Sequence, residues 1–277
     1  MNLPLTWLYV PGDRPDRVPK ALACGADVVI VDLEDAVSAD HKATARDVAR
    51  HVLATPAGPA GAQVRVNAVG TRWFDDDVAM VSGLASSVGV RLPKCEEPDV
   101  VAAAAEALGD RAVHLLVESA RGLEAAYDLA RAHPHVVGIG LGEADLRADL
   151  GVTADEGLAW ARSRIVSAAA AAGLESPAMS VYTNVRDLDG LRASCLIGRG
   201  LGLVGRAAIH PAQLPVIRSV FSPTPEEVSR AVEVLEAAAS ATAQGAGALA
   251  MADGRFVDEA VVRQARRTLR RAGHPQI

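Results

Sequence analysis

The sequence predicts an α/β protein, a closed (β/α)8 TIM barrel followed by a C-terminal helical extension. Eight short apolar runs alternate with helical patterns, which is typical of βαβ units and a parallel sheet. The chain has 277 residues, and one such barrel takes about 250. The prominent polar residues fall at or just after the ends of the predicted strands, where barrels of this class carry their sites.

The predicted strands are built from Val, Leu, Ile and Ala, since aromatic residues make up only 3% of the chain. A short apolar run bounded by turn residues is typical of a buried parallel strand. The second run is the clearest, because it leads from Val28 straight into the acidic residues Asp32, Glu34 and Asp35. The seventh is the weakest. In chain order the strands are predicted at residues 5–10, 28–32, 63–67, 88–92, 112–117, 136–141, 178–182 and 202–209.

Helical patterns follow most of these strands, as crossover connections require. They are predicted at residues 17–24, 42–53, 97–108 and 156–172, with further helices opening at residues 75–77 and 187–194 and one reaching about residue 132.

The pattern changes after Phe221, which predicts a catalytic barrel over residues 1–221 and a helical extension over residues 222–277. Thr224-Pro225-Glu226-Glu227 is a capping box with Pro at the first helical position, so a helix begins there and runs to about residue 242. A last helix is predicted over residues 259–271. We interpret this extension as a lid or a contact between subunits.

Composition excludes several classes of function. A net charge of −6 provides no basic surface for nucleic acid. No apolar run approaches the roughly 20 residues of a membrane span, so no membrane partner is expected. The three cysteines, Cys24, Cys95 and Cys195, lack C-x-x-C spacing, which favours reduced thiols in a cytoplasm.

Glu118 and Asp145 follow the fifth and sixth predicted strands, so they should be neighbours at the barrel mouth. Two carboxylates without Cys or His beside them suit Mg²⁺, which one or two carboxylates hold together with waters and substrate oxygens. Glu34 and Asp35 would orient the metal-bound waters. The structural alternative is that Asp145 caps the following helix and Glu118 pairs with Arg121. We favour the metal, because the two acids follow adjacent strands.

Two cations accompany these acids. Arg65 lies on a buried strand, where an unpaired guanidinium is costly. It either pairs with one of the acids or holds an anionic substrate group; we favour the substrate, because its fork suits a carboxylate. Lys94, one of three lysines, is either a Schiff-base nucleophile or a charge partner of the acids, and we favour the charge partner.

Seven motifs occur in series over nearly the whole chain: Leu8-Tyr9-Val10-Pro11-Gly12-Asp13-Arg14-Pro15, Asp32-Leu33-Glu34-Asp35-Ala36-Val37, Arg65-Val66-Asn67, Leu92-Pro93-Lys94, Glu118-Ser119-Ala120-Arg121-Gly122, Gly142-Glu143-Ala144-Asp145-Leu146 and Ile209-His210-Pro211-Ala212-Gln213. Each motif alone is weak. In this order they resemble the β subunit of citrate lyase and its stand-alone relatives in the HpcH/HpaI aldolase superfamily.

The resemblance implies a Mg²⁺-dependent TIM barrel that cleaves or forms a carbon–carbon bond in a CoA thioester. Citryl-, malyl- and citramalyl-CoA are substrates of that type, and the products are an acyl-CoA and a keto acid. On that pattern Glu118 and Asp145 are metal ligands and Arg65 grips the keto-acid or carboxylate end of the substrate. Glu34 and Asp35, beside the metal ligands, are counted as catalytic. The resemblance also implies a homotrimer or hexamer.

Three further site residues are predicted, the first of them from the resemblance. An aspartate of the C-terminal segment reaches a neighbouring subunit's site in such relatives, and Asp258 is the matching residue; its structural alternative is an N-cap of the last helix. Arg14 is predicted to meet CoA phosphates, with a solvated surface arginine as the alternative. Lys94 is counted with Arg14 and Arg65 as substrate-binding.

Two other functions remain open. One is an aldolase for free 2-keto acids, acting by metal or by a Lys94 Schiff base. The other is a partner-dependent β subunit of a citrate lyase complex, acting on a carrier-protein thioester. Relatives commonly carry an Asp near the end of strand seven, where this chain has Ser180 or Tyr182, so the acyl group is left open.

Overall fold

One sheet of seven parallel strands lies within the compact unit Leu5–Arg218 of the computed structural model, which describes residues 3–54, 60–243, 249–251 and 256–274. Its order is β6-β5-β4-β3-β2-β1-β7, so the last strand lies beside the first, as in TIM-barrel-like folds. The strands are β1 (Thr6–Pro11), β2 (Val28–Asp32), β3 (Gly61–Arg65), β4 (Gly89–Leu92), β5 (Val113–Val117), β6 (Val136–Leu141) and β7 (Arg206–Ala208).

Helices connect these strands, because parallel pairing requires crossover connections. Several begin with recognisable signals: α4 has Pro98 in its first turn, and the Ser119 hydroxyl accepts the Gly122 N–H at the start of α5. The helices of this unit are α1 (Val18–Ala23), α2 (Lys42–Leu53), α3 (Phe74–Ser82), α4 (Pro98–Ala107), α5 (Ala120–Glu124), α6 (Ala126–Ala130), α7 (Glu143–Leu150), α8 (Ala159–Ala171), α9 (Leu188–Gly200) and α10 (Leu214–Phe221, which extends past the end of the unit).

The register of β2 positions the polar edge of the sheet. Its residues Val29, Ile30 and Val31 are completely buried, as their β-branched side chains favour in a strand packed on both faces. β2 pairs with β1 on one side and β3 on the other, and Asp32 lies opposite Arg65. The strand therefore delivers a carboxylate beside a guanidinium at the carboxyl edge.

The prediction of eight regular strands is wrong at the seventh. Residues 178–182 contribute a single bridge, between Met179 and Arg206, rather than a strand. Pro177 has no N–H to donate to a ladder. The Ser180 hydroxyl donates to the Leu141 carbonyl at the end of β6, so a side chain links this segment to β6.

Two helical predictions also differ from the structure. α7 was not predicted as a separate helix, because its short acidic sequence carries little apolar periodicity. The helix predicted to reach residue 132 is two short helices, α5 and α6, joined at Ala125.

The second compact unit comprises Met1–Pro4 and Ser219–Ile277. Its described elements are α11 (Pro225–Ala243), the antiparallel pair β8 (Leu249–Ala250) and β9 (Phe256–Val257), and α12 (Glu259–Arg271). The capping box is formed: the Thr224 N–H donates to Glu227 at 2.8 Å and the Glu227 N–H to Thr224 at 3.2 Å. Val234, Val262 and Leu269 are buried in one apolar cluster. Within the described part of the chain, no helix combines the length and apolarity that a membrane crossing needs.

Candidate active site

Charged side chains from neighbouring strands meet at the carboxyl edge of the sheet. Glu34 and Asp35 follow β2, Glu118 follows β5, and Asp145 lies in the first turn of α7, just after β6. We call these four residues the acid cluster. Lys94 follows β4 and lies among them, so the structure brings together the predicted residues from four strand ends.

The ammonium of Lys94 contacts every member of the acid cluster. Its Nζ forms a short hydrogen bond with Glu34 and lies 3.5 Å from Asp35, 3.5 Å from Asp145 and 3.8 Å from Glu118. Burial by itself lowers the pKa of Lys94, but the hydrogen bond to Glu34 and the surrounding carboxylate charges raise it above its usual value. This arrangement favours the charge partner over the Schiff-base nucleophile, which needs a neutral amine.

The backbone of Lys94 is also unusual. Its φ of 55° lies in the left-handed region, where the described part of the chain places no other residue except glycines. The Lys94 N–H donates to Glu118 Oε2 at 3.2 Å. Both the backbone and the ammonium of Lys94 are thus bound to the cluster, which is how a strained conformation persists at a functional site.

Arg65 pairs with an acid, which was the less favoured of its two predicted roles. Its Nε donates to Asp32 Oδ1 at 2.8 Å and its Nη2 to Asp32 Oδ2 at 2.5 Å. Asp32 also accepts the backbone N–H groups of Glu34 and Ala36 at 2.9 and 3.3 Å. Burial alone lowers the pKa of Arg65, whereas the bonds to Asp32 raise it. The pairing leaves Nη1 as the edge of Arg65 that faces the cluster, 2.9 Å from Glu34 Oε2.

The acid cluster holds more negative charge than its cations balance. Burial is the main cause that raises the pKa of Glu34, against the lowering effects of Arg65 and Lys94. Burial, followed by the charge of Glu34, raises the pKa of Glu118 to about 7. Glu34 Oε2 is buried and accepts no well-aligned hydrogen bond within the described part of the chain, so its contact with Arg65 Nη1 is an ion pair. The raised pKa values of both glutamates indicate a site that would favour a further cation.

The structural alternatives for Glu118 and Asp145 are not formed. Arg121 pairs with Glu97 at 2.9 Å instead of with Glu118. The N-cap residue of α7 is Gly142, so Asp145 lies inside the helix and does not cap it. A Cβ atom at Gly142 would lie 2.3 Å from Glu118 Oε1, so the glycine leaves the space that the Glu118 carboxylate occupies.

The sequence did not predict a buried hydrogen-bond network next to the acid cluster. The Lys42 ammonium donates to the carbonyls of Leu33 and Glu34 at 2.7 and 2.8 Å and to the Asn67 side chain at 2.7 Å. Asn67 in turn donates to Asp77 through its N–H and its amide. The network fixes the backbone that carries Glu34, and no local pattern in the sequence marks Lys42 as its centre.

A second charged group, which we call the arginine cluster, consists of Glu143, Arg147, Asp155 and Arg162. Arg162 is buried and binds Glu143 through Nε and Nη2 at 2.8 and 2.7 Å. It also binds Asp155 at 2.7 and 2.9 Å, and Arg147 pairs with Asp155 from the other side. This cluster anchors the start of α7, two residues before Asp145. The sequence did not predict it, because its pairs join α7, α8 and the turn between them, which no helical spacing brings together.

The remaining predicted site residues have local partners. Arg14 pairs with Asp16 through bonds of 3.2 and 3.3 Å in the exposed loop after β1. In the C-terminal unit, Asp258 caps α12 by accepting the N–H groups of Ala260 and Val261 at 2.9 and 3.0 Å. The structure thus forms the structural alternatives named for both residues.

Donors for a metal ion are limited to oxygen at this edge. In the described ranges no three His, Cys, Asp or Glu side chains form a preassembled metal cage. Glu118 and Asp145 provide two carboxylates, one 3.8 Å and the other 3.5 Å from the position that the Lys94 ammonium occupies. That number and chemistry suit Mg²⁺, which keeps several waters and takes further oxygens from a substrate.

Comparisons with known proteins place this chain among lyase-related sequences. The model of the HpcH/HpaI aldolase/citrate lyase family matches residues 5–211. A (3S)-malyl-CoA thioesterase of Cereibacter sphaeroides is 37% identical, over 96% of this chain and 93% of its own. A citrate lyase subunit beta-like protein of Mycobacterium tuberculosis is 38% identical, over 96% of this chain and 95% of its own.

A solved structure agrees with these relatives. CitE from Mycobacterium tuberculosis, in complex with magnesium, acetoacetate and coenzyme A, aligns with a TM-score of 0.80 and 37% identity over 98% of both chains. The chain therefore belongs to the HpcH/HpaI aldolase/citrate lyase family.

Proposed function

We propose that this protein is a Mg²⁺-dependent carbon–carbon lyase that cleaves a 3-hydroxyacyl-CoA thioester into an acyl-CoA and a keto acid. The observation that carries the proposal is the convergence of Glu118 and Asp145 on one cation position, beside Arg65, in a member of this family. The magnesium, acetoacetate and coenzyme A bound by CitE support the same chemistry. Citryl-, malyl- and citramalyl-CoA are the candidate substrates.

Glu118 and Asp145 would hold the metal, and Glu34 and Asp35 would orient its waters. A Mg²⁺ ion held there would supply positive charge that lowers the pKa of the substrate hydroxyl and stabilises negative charge on its oxygen. Cleavage breaks the bond between the hydroxyl-bearing carbon and the carbon next to the thioester. The hydroxyl loses its proton as its carbon becomes the carbonyl of the keto acid, and the electron pair of the broken bond forms the acyl-CoA enolate. The enolate then takes up one proton, so the protons balance.

Arg65 is the proposed anchor for the substrate carboxylate. Asp32 occupies Nε and Nη2, so the guanidinium is held rigidly with Nη1 towards the cluster. Arg65→Lys keeps the charge but loses the fork to Asp32, and we expect kcat/KM to fall by about 100-fold. Steady-state kinetics measure the loss. Arg50→Lys, at an exposed pair with Asp47 on α2, is the control for arginine loss, and a comparable fall there would contradict a special role for Arg65.

Three finer features belong to the same proposal. Residues 178–182 take the place of an eighth strand and close the seven-stranded sheet into a TIM-type barrel. In support of this, Ala178 and Val181 pack against the apolar cluster that contains Trp7 and Ile30. The C-terminal unit forms the contact between subunits of a homotrimer or hexamer, in which Asp258 reaches a neighbouring site near the substrate hydroxyl.

Arg14 would exchange Asp16 for a CoA phosphate, since a phosphate takes the same fork of donors. A cytoplasmic location is in keeping with three free cysteines.

The test is keto-acid release from citryl-, malyl- and citramalyl-CoA by the purified chain, with Mg²⁺ and with EDTA. We expect oxaloacetate, glyoxylate or pyruvate from one of them, dependent on Mg²⁺. A folded protein that releases none of these acids would contradict the lyase. Release from a carrier-protein thioester alone would identify the partner-dependent subunit, and EDTA-resistant cleavage of a free keto acid with a borohydride-trapped Lys94 would identify the aldolase.

A second candidate function is hydrolysis of the thioester. Its support is the (3S)-malyl-CoA thioesterase, which is 37% identical over nearly the full length of both chains. Thioester hydrolysis releases a free CoA thiol and leaves the carbon skeleton intact, whereas the lyase releases a keto acid and retains the thioester. A thiol reagent and a keto-acid assay on the same malyl-CoA reaction separate the two.

A further inference from the structure

Lys94 stands where a cation bound by Glu118 and Asp145 would be. Its Nζ lies 3.8 Å from a Glu118 oxygen and 3.5 Å from an Asp145 oxygen. Magnesium binds oxygen at about 2.0–2.1 Å, so an ion shared by these two carboxylates would lie close to that nitrogen. Two positive charges at such a separation repel strongly in a partly buried site.

The Lys94 ammonium also has partners that are not metal ligands. Its closest partner is Glu34, and Asp35 lies at 3.5 Å; neither of these acids is a proposed metal ligand. Glu34 is buried, so its charge needs a cation whether or not a metal is present. The Lys94 backbone is held at φ 55°, and its N–H donates a hydrogen bond to Glu118. The ammonium can therefore shift while the backbone of Lys94 stays in place.

We propose that Lys94 is a built-in counter-cation of the acid cluster, which contacts all four acids in the metal-free protein and keeps only Glu34 and Asp35 when a divalent cation binds Glu118 and Asp145. The inference rests on the magnesium site of the proposed function. Lys94 then has two effects: it holds the metal-free cluster together, and it sets the affinity for Mg²⁺ below that of the carboxylates alone.

The experiment compares Mg²⁺ binding by calorimetry and thermal unfolding in EDTA for the wild-type chain and four variants. Lys94→Met matches the length of the side chain, and Lys94→Asn tolerates the left-handed backbone. Lys94→Arg keeps the charge. Lys20→Met removes the same charge from the exposed surface of α1 and is the control.

We expect both neutral variants at Lys94 to bind Mg²⁺ about tenfold or more tightly than the wild type. In EDTA they should unfold at a lower temperature than the wild type, and Mg²⁺ should raise that temperature further than it does for the wild type. The affinities of Lys94→Arg and Lys20→Met should stay within about threefold of the wild type, because one keeps the local charge and the other lies outside the cluster.

The outcomes separate the two proposals. A wild-type chain that neither binds Mg²⁺ nor is stabilised by it would remove the metal site and this inference together. A wild-type chain that binds Mg²⁺, with neutral variants that bind equally or more weakly, would overturn the role of Lys94 and leave the metal site standing. Equal tightening in Lys94→Arg would also overturn it, since charge would not be the cause. If Lys94→Met fails to fold, Lys94→Asn carries the comparison.

Discussion

The acid cluster and the arginine cluster are both charged and partly buried, and both lie at the start of α7, yet their charges are balanced differently. In the arginine cluster, Arg147 and Arg162 meet Glu143 and Asp155 one for one. The hydrogen bond from Arg162 is the main cause that lowers the pKa of Asp155. In the acid cluster four carboxylates meet the Lys94 ammonium and one edge of Arg65, whose other edge binds Asp32. Burial raises the pKa of Glu34 and Glu118 there.

This difference in charge balance distinguishes a structural cluster from a candidate binding site, although the two clusters have similar composition. A buried charge that has its full set of partners stabilises one arrangement and has no valence left for a ligand. A buried carboxylate without enough positive charge is held in an unfavourable state, which a bound cation relieves. Imbalance, rather than the number of acids, marks the acid cluster as the candidate site.

The largest expected effect is on turnover in the acid cluster. Glu118→Gln keeps an oxygen for the Lys94 N–H but removes the charge that a cation needs, so we expect Mg²⁺-dependent turnover to fall by roughly 1000-fold. The far-ultraviolet circular dichroism spectrum should be unchanged. Glu97→Gln, an exposed acid paired with Arg121, is the matched control. Full activity in Glu118→Gln would refute the metal assignment.

In the arginine cluster the corresponding loss is of stability. Arg162→Met leaves the Glu143 carboxylate buried without its partner, and we expect the free energy of unfolding to fall by about 3–5 kcal/mol. Urea denaturation measures it. The double variant Arg162→Met with Glu143→Gln should recover part of the loss, because the unpaired charge is gone. A single variant as stable as the wild type would break the comparison between the clusters.

A smaller effect is expected where the two clusters adjoin, at Gly142. Alanine there would place its Cβ 2.3 Å from Glu118 Oε1, so the carboxylate must move. We expect turnover to fall by about 100-fold, as misplacement of a catalytic group by about 1 Å costs. Gly140→Ala is the control, because its Cβ meets only Leu116 at 4.0 Å. Equal activities of the two variants would show that the position of Glu118 is not critical.

The smallest effect is on the pH dependence of stability without metal. The pKa of Glu118 is about 7 in the folded chain, against an ordinary value of 4.5 in the unfolded chain. Between pH 4.5 and 7 the folded state therefore binds a proton at Glu118 that the unfolded state does not. Stability should therefore fall as pH rises from 4.5 to 7, by on the order of 1–3 kcal/mol. The lowered pKa of Asp155 has the opposite sign: its contribution is lost as pH falls below its usual value of 3.8.

Unfolding in EDTA across this range, for the wild type and Glu118→Gln, isolates the contribution of Glu118. The variant should show a smaller decline between pH 4.5 and 7, with the raised pKa of Glu34 accounting for what is left. An equal decline in both proteins would assign the pH dependence to other groups.

Much of the site was predictable because it depends on strand direction alone. Carboxyl ends of parallel strands meet at one edge, so acids placed after the second, fifth and sixth strands had to come together. The choice of partner was not predictable. Arg65 binds Asp32, a residue 33 positions earlier, and Lys94 reaches Glu34 across 60 positions. Both pairings depend on register and on side-chain direction, which the order of residues does not show.

The sequence by itself determined the α/β class, the family, the capping box at Thr224 and the polar edge of the sheet. These follow from periodicity, local capping chemistry and motif order, all of which are written in neighbouring residues. Only the tertiary structure decided that residues 178–182 form a bridge rather than a strand, and that Lys94 lies among the four acids. It also decided that Lys42 binds the backbone after β2 and that Arg162 binds Glu143 at the start of α7. Those outcomes depend on which distant groups burial forces into contact, because a buried charge or carbonyl must find its partner wherever the fold places one.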